Sequence, residues 1–135
     1  MIEGLSHITF IVKNLKRTSN FLTSVFEAEE IYSSGEKEYS YSKEKYFLIN
    51  GLWFVIMEGE PLSEKTYNHV ALKVSDAVFN KYEERIRSLG LEVIDDRIRI
   101  DGEGKSLYFY DYDNHLFELH TGTLDQRLDV YNISI

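Results

Sequence analysis

The chain contains no cysteine and a single proline, Pro61. Without thiols there is no disulfide framework, no thiolate metal site and no cysteine nucleophile. That absence fits a reducing cytoplasm. Cations are also in the minority: 15 Lys and Arg stand against 23 Asp and Glu, a net charge of −8. Nucleic acids and anionic membranes both need a positive footprint, so neither is expected as a partner. A small anionic substrate stays open, because a bound metal and a few local cations act on it more strongly than the global charge. No stretch approaches the ~20 apolar residues that cross a bilayer, and the N-terminus lacks a basic region followed by an apolar run. A soluble cytoplasmic protein is the expectation.

Common catalytic signatures are missing as well. Gly104-Lys105-Ser106 resembles the end of a phosphate-binding P-loop. That pattern requires a glycine where Arg99 stands, and it opens a helix, whereas the residues after Ser106 read as a strand. There is no His-Glu-x-x-His helix and no Gly-x-Ser-x-Gly elbow. Gly102-Glu103-Gly104 reads equally as a flexible turn or as a place where backbone amides approach an anion.

What is present is apolar and repeated. The 135 residues are 43% hydrophobic and 14% aromatic, ample for the core of one domain. The halves resemble each other at an offset of 62 residues, with Gly4 to Val12 opposite Thr66 to Val74 and His7 over His69. After each of these strand-like runs comes a helical spacing: Thr18, Phe21, Leu22, Val25 and Phe26 in the first half, and Val78, Phe79, Tyr82, Ile86 and Leu89 in the second. Gly90 is a natural helix stop. Short β-rich runs follow, Tyr46 to Ile49 and Leu52 to Met57, then Ser106 to Tyr110 and His115 to His120, with turns at Asn50-Gly51 and Asp113-Asn114. The fold expected is α+β, a βαβββ module used twice within one domain spanning 1–135, with repeats at about 1–60 and 66–135. Pro61 to Lys65 is the linker.

Three residues carry the chemistry. His7, His69 and Glu118 each sit in a stretch that alternates with period 2, so His7 shares a face with Thr9, His69 with Tyr67, and Glu118 with Leu116 and His120. Any one of the 4 histidines alone would be an ordinary surface or structural residue. Placed at matching strands of duplicated halves, two imidazoles and one carboxylate make a facial triad for a divalent first-row metal, with positions left open for substrate and water. The carboxylate leans the choice toward manganese, iron or zinc. His115 falls on the opposite face from Glu118 and His120 at the strand end, which leaves both outside the ligand set.

The segments Gly4 to Thr9, Tyr67-Asn68-His69, Gly104 to Phe109 and Asp113 to His120, running on to Gly122-Thr123-Leu124 and Arg127-Leu128, resemble the vicinal oxygen chelate (glyoxalase-like) superfamily, and within it the fosfomycin-resistance proteins, over essentially the whole chain. Ser42 to Ile49 resembles the epoxide-hydrolase branch, and the potassium loop of glutathione-dependent relatives is not clearly matched around Asp101 to Ser106. The resemblance implies an enzyme that adds water to the epoxide of fosfomycin, with His7, His69 and Glu118 holding a divalent metal, Mn2+ first among candidates. It makes Glu44 the general base, where the residues alone would read as a solvated Lys-Glu-Lys run. It assigns phosphonate contacts to Arg127, Ser106, Tyr108 and Thr9, with Lys105 and Arg99 as additional cations. A homodimer is also implied, with His7 from one chain completing a site with His69 and Glu118 of the other. A glutathione- or bacillithiol-using transferase and a metal-free drug-binding protein are the alternatives.

Overall fold

The computed structural model describes residues 1–94 and 100–134; the candidate cation Arg99 lies outside the described residues. The chain divides into two compact units, Met1–Glu64 with Tyr112–Asn114, and Lys65–Asp111 with His115–Ile135.

In the first unit β1 (His7–Val12) leads into α1 (Leu15–Val25), followed by β2 (Glu29–Ser33), β3 (Glu44–Ile49) and β4 (Leu52–Glu58). The strands form one sheet in the order β1-β4-β3-β2, with β1 parallel to β4 and the other pairs antiparallel. Asn14 caps α1, its Oδ1 accepting from Arg17 N at 3.0 Å, which satisfies one of the amide donors left over at a helix start. The helix buries Thr18, Phe21, Leu22 and Val25 and packs on β4. Phe47, Phe54 and Ile56 alternate onto the buried sheet face and are almost completely hidden; each such side chain contributes about 1.5–3 kcal/mol by leaving water. Asn50 and Gly51 both have positive φ (46° and 82°) and join the paired Ile49 and Leu52, as a two-residue hairpin turn requires. The short segment at Asp113 closes this unit. Its Oδ1 accepts from Lys13 N at 2.9 Å and its carbonyl from Leu62 N at 3.2 Å, while the Arg17 guanidinium sits 4.3 Å above the Tyr112 ring.

The second unit repeats the plan. It contains β5 (His69–Lys73), a 3-10 turn (Asp76–Val78), α2 (Phe79–Ser88), β6 (Val93–Ile94), β7 (Ser106–Tyr110) and β8 (Leu116–His120), ordered β5-β8-β7-β6 with β5 parallel to β8. The helix read from Val78 onward therefore begins as a tighter turn, and Val78 is left exposed. Gly90 follows the helix end with φ of 72°. Phe109 and Phe117 stack 5.6 Å apart across β7 and β8 and are buried with Leu107, Leu116 and Leu119. A last helix, α3 (Leu124–Ser134), opens with a reciprocal cap: Gln126 N donates to Thr123 Oγ1 at 3.2 Å and Thr123 N to Gln126 Oε1 at 2.9 Å. This cap sets the entry of the helix that carries Arg127.

Candidate metal and anion site

The second unit brings two of the expected ligands together. In the parallel ladder of β5 and β8, Ala71 is opposite Glu118, which places His69 and Glu118 on one face and diagonal to each other. His69 Nε2 lies 3.1 Å from Glu118 Oε1. The other imidazole nitrogen, Nδ1, is 2.7 Å from the Tyr67 carbonyl oxygen and must donate to it, because a carbonyl only accepts. In the neutral ring this leaves the lone pair on Nε2, aimed at a carboxylate oxygen. Two acceptors at that separation repel unless a cation lies between them, either a proton on the ring or a metal ion.

Glu118 is held from behind. It is buried, and its second oxygen, Oε2, accepts from Ser106 Oγ at 2.6 Å. Ser106 Oγ is also 2.7 Å from His120 Nδ1. With the serine proton directed at Glu118, the histidine donates to the serine. This outer layer of hydrogen bonds fixes the carboxylate rotamer and leaves Oε1 facing His69. The donor set therefore fits a divalent ion: one imidazole nitrogen with a fixed tautomer and one carboxylate oxygen, both anchored from the far side.

A cavity of about 300 Å³ opens at this pair, lined by His69, Ala71, Glu118, His120, Gly122, Thr123, Leu124 and Arg127. Arg127 Nη2 reaches within 3.5 Å of His120 Nε2, so a guanidinium borders the same space as the two ligands. Tyr108 pairs with Glu118 across β7 and β8, its ring centroid lies 5.4 Å from that of His69 with the planes at 79°, and it accepts a hydrogen bond from Tyr67 at 3.0 Å. Lys105 lies just before β7. Its ammonium pairs with Asp76 at 3.2 Å, and it lines a separate cavity with Asp76, Gly102 and Gln126. His115 clasps its own loop: its backbone N–H and Nδ1 both meet the Asp111 carboxylate at 2.8 Å.

The first unit carries the remaining candidates. His7 opens β1 on an exposed position, with Ser6 Oγ 3.0 Å from Nδ1 and the Trp53 ring 4.2 Å from its own. Thr9 follows on the same face. Glu44 opens β3 and is only 3% exposed, far from a solvated surface run. The backbone around it is pinned to Ser34: Glu44 N donates to Ser34 Oγ at 2.9 Å and Ser34 N to the Glu44 carbonyl at 3.0 Å. Glu44 and Tyr46 share a face, and the Tyr46 hydroxyl is hydrogen-bonded to the Glu44 carboxylate. The Tyr46 phenol is pushed above its usual range, first by burial and then by that hydrogen bond and the carboxylate's charge. Among the described residues, no group of three or more His, Asp or Glu side chains gathers as a metal site.

One residue was missed by sequence reasoning. Glu103, between two glycines, reads as part of a flexible turn or an anion-approaching backbone but is fully buried, its Oε1 accepting from Tyr131 at 2.5 Å and its Oε2 from Ile100 N at 3.1 Å. The glycines offered the only signal. A side chain at Gly122 would collide with the Glu103 carbonyl, and one at Gly104 would meet Gly122 N at 2.7 Å, so the loop is packed backbone to backbone against the segment that leads into α3.

Comparison with known proteins shows the family. The chain belongs to the Glyoxalase/Bleomycin resistance protein/Dioxygenase superfamily, whose model matches residues 4–119. Within it, the chain groups with the FosX-type fosfomycin resistance proteins. It is 61% identical over 132 residues to fosfomycin resistance protein FosX of Listeria innocua, covering 98% of this chain and 99% of the relative. A crystal structure of a FosX variant from Listeria monocytogenes, complexed with Mn(II) and 1S,2S-dihydroxypropylphosphonic acid, superposes with a TM-score of 0.89 at 58% identity, covering 97% of this chain and 99% of that one. Similarity to metallothiol transferases is lower: FosB of Shouchella clausii is 34% identical over 136 residues, covering 97% of this chain and 88% of that protein.

Proposed function

We propose that this chain is a metal-dependent fosfomycin resistance enzyme that opens the epoxide of fosfomycin by adding water. The observation that carries the reading is the His69–Glu118 pair, two acceptors oriented from behind and set beside a guanidinium, in a chain similar to FosX proteins along its whole length. His69 and Glu118 of one protomer and His7 of the partner subunit would hold a divalent ion, manganese(II) foremost. When bound, the ion supplies Lewis acidity to the epoxide oxygen and a template for the phosphonate.

The protein's own groups account for the rest. Glu44, buried and pinned through its backbone, accepts the proton of the attacking water, a role worth about 10²–10⁴ in rate. Water oxygen bonds to the ring carbon bearing phosphorus, the bond from that carbon to the ring oxygen breaks, and the oxygen gains a proton, giving the diol phosphonate with inversion. Arg127 presents its planar fork to the phosphonate. The hydroxyls of Tyr108 and Thr9 supply further donors, with Ser106 acting from its bridge to Glu118. Lys105, paired with Asp76, has no part in this reading.

A homodimer with shared sites is part of the proposal, supported by the placement of His7 and Glu44 in one unit and His69, Glu118 and Arg127 in the other. A cytoplasmic location is supported by the cysteine-free sequence. No helix among the described residues is long and apolar enough to cross a membrane. The test is direct. Manganese-loaded protein incubated with fosfomycin should give a diol phosphonate by phosphorus NMR with no thiol present; a strict requirement for added glutathione or bacillithiol would favour the transferase.

A further inference from the structure

Beneath the anion site lies an ionisable group to which this reading gives no task. Glu103 is completely buried, and a buried carboxylate is costly unless donors surround it. Here two hydrogen-bond donors and one cation are in place. Tyr131 of α3 donates to Oε1 at 2.5 Å, the Ile100 amide donates to Oε2 at 3.1 Å, and Arg127 Nε stands 3.7 Å from Oε1. The backbone adds a fourth restraint, because Glu103 N donates to the Ile100 carbonyl at 3.0 Å and closes the loop on itself. The close approach of Gly104 and Gly122 seats this loop backbone to backbone against the segment that leads into α3.

The geometry of Arg127 shows what such an anchor does. A guanidinium has two usable edges, and Glu103 takes up the Nε side while Nη2 extends to 3.5 Å from His120 Nε2, at the wall of the cavity that holds His69 and Glu118. A free arginine carries rotamer entropy that anion binding must otherwise remove. We infer that Glu103 is a positioning residue for Arg127, holding the guanidinium with its Nη edge turned to the cavity so that a phosphonate meets a preset fork. The inference rests on the proposed function, which assigns Arg127 to the phosphonate. It goes beyond that function in making the buried loop carboxylate, and with it Tyr131, determinants of substrate affinity.

The experiment is a double-mutant cycle on manganese-loaded full-length protein, reading KM and kcat for fosfomycin together with bound metal. Glu103→Gln keeps shape and removes the charge; it should raise KM about tenfold with kcat and metal content little changed. In an Arg127→Ala background the same change should add almost nothing, because the group it positions is gone. A merely structural role would lower activity equally in both backgrounds, and that additivity would overturn the proposal. Tyr131→Phe removes one donor from the anchor without leaving a buried charge unpaired by Arg127. It provides the readout if Glu103→Gln folds poorly, with a smaller KM increase that again disappears when Arg127 is alanine. Should Arg127→Ala raise KM while both anchor variants leave it at the wild-type value, the positioning role fails and the phosphonate assignment stands. An unchanged KM for Arg127→Ala would sink both.

Discussion

His69 Nε2 and Glu118 Oε1 face each other at 3.1 Å, each tethered on its far side, by the Tyr67 carbonyl in one case and the Ser106 hydroxyl in the other. Neither side chain is needed to bury apolar surface: the imidazole is a quarter exposed and the carboxylate is hydrophilic. Replacing His69 with alanine should therefore leave the fold in place while metal affinity falls by more than the ~10–100-fold that loss of an outer-shell partner costs. Metal analysis of the purified variant, alongside its circular dichroism, decides the matter. Full metal content in His69→Ala would remove it from the ligand set.

Ser106 touches the proposed ligand Glu118. Ser106→Ala removes the donor to Glu118 Oε2 and leaves that buried oxygen with less compensation. The expected result is a drop of about 10–100-fold in metal affinity with ligand identity unchanged. Titration with Mn(II), followed by electron paramagnetic resonance of the free ion, measures it. An unaltered affinity would mean that Ser106 serves the substrate directly and not the carboxylate.

The sequence made the duplicated strand-helix plan legible because its signals are periodic. Alternation in β1, β5 and β8 put His7, His69 and Glu118 on definable faces, and Asn50-Gly51 marked a turn that only positive-φ residues make well. The strands β2 and β6 were not located, the one exposed along most of its length and the other only two residues long, so neither leaves a clear apolar pattern. Glu44 and Glu103 show a different limit. Both are glutamates among polar or glycine neighbours, where composition indicates solvent, yet both are buried because partners outside the local run meet them: Ser34 on the neighbouring segment for the first, Tyr131 and Arg127 of α3 for the second. Lys105 is the converse case. Next to Ser106 in sequence, it lies just before β7 and its ammonium pairs with Asp76.

Arg127 tests anion recognition. Arg127→Ala should raise KM for fosfomycin strongly with a smaller effect on kcat, and Arg127→Lys should recover only part of the loss, because an ammonium cannot bind Glu103 on one side and present a planar fork on the other. Steady-state kinetics on the two variants provides the comparison. Equal KM values for lysine and arginine would reduce the residue to a point charge.

Tyr46 reports on the state of Glu44. Its phenol is held protonated to higher pH than usual, first by burial and next by its hydrogen bond to the Glu44 carboxylate. Because the folded-state value is raised, the neutral phenol favours the native state below its ordinary pKa of ~10 and that contribution is lost as pH climbs through the shifted value. Ultraviolet difference titration should find one tyrosine ionising late, and Glu44→Gln should move it earlier by removing the negative charge. A Tyr46 titration unchanged by Glu44→Gln would break the link between the two side chains.

The same substitution tests the chemistry. Glutamine keeps the size and polarity of Glu44 and leaves the strand backbone free to keep its bonds to Ser34, but it cannot accept a proton from water. Substrate binding should persist, while turnover falls by at least the ~10² expected for lost general-base catalysis. Product formed by the wild-type enzyme in labelled water should carry one solvent oxygen on carbon, as addition of water demands and thiol transfer does not. Full turnover in Glu44→Gln, with the label still incorporated, would leave hydrolysis intact and require another base; sulfur in the product would overturn hydrolysis itself.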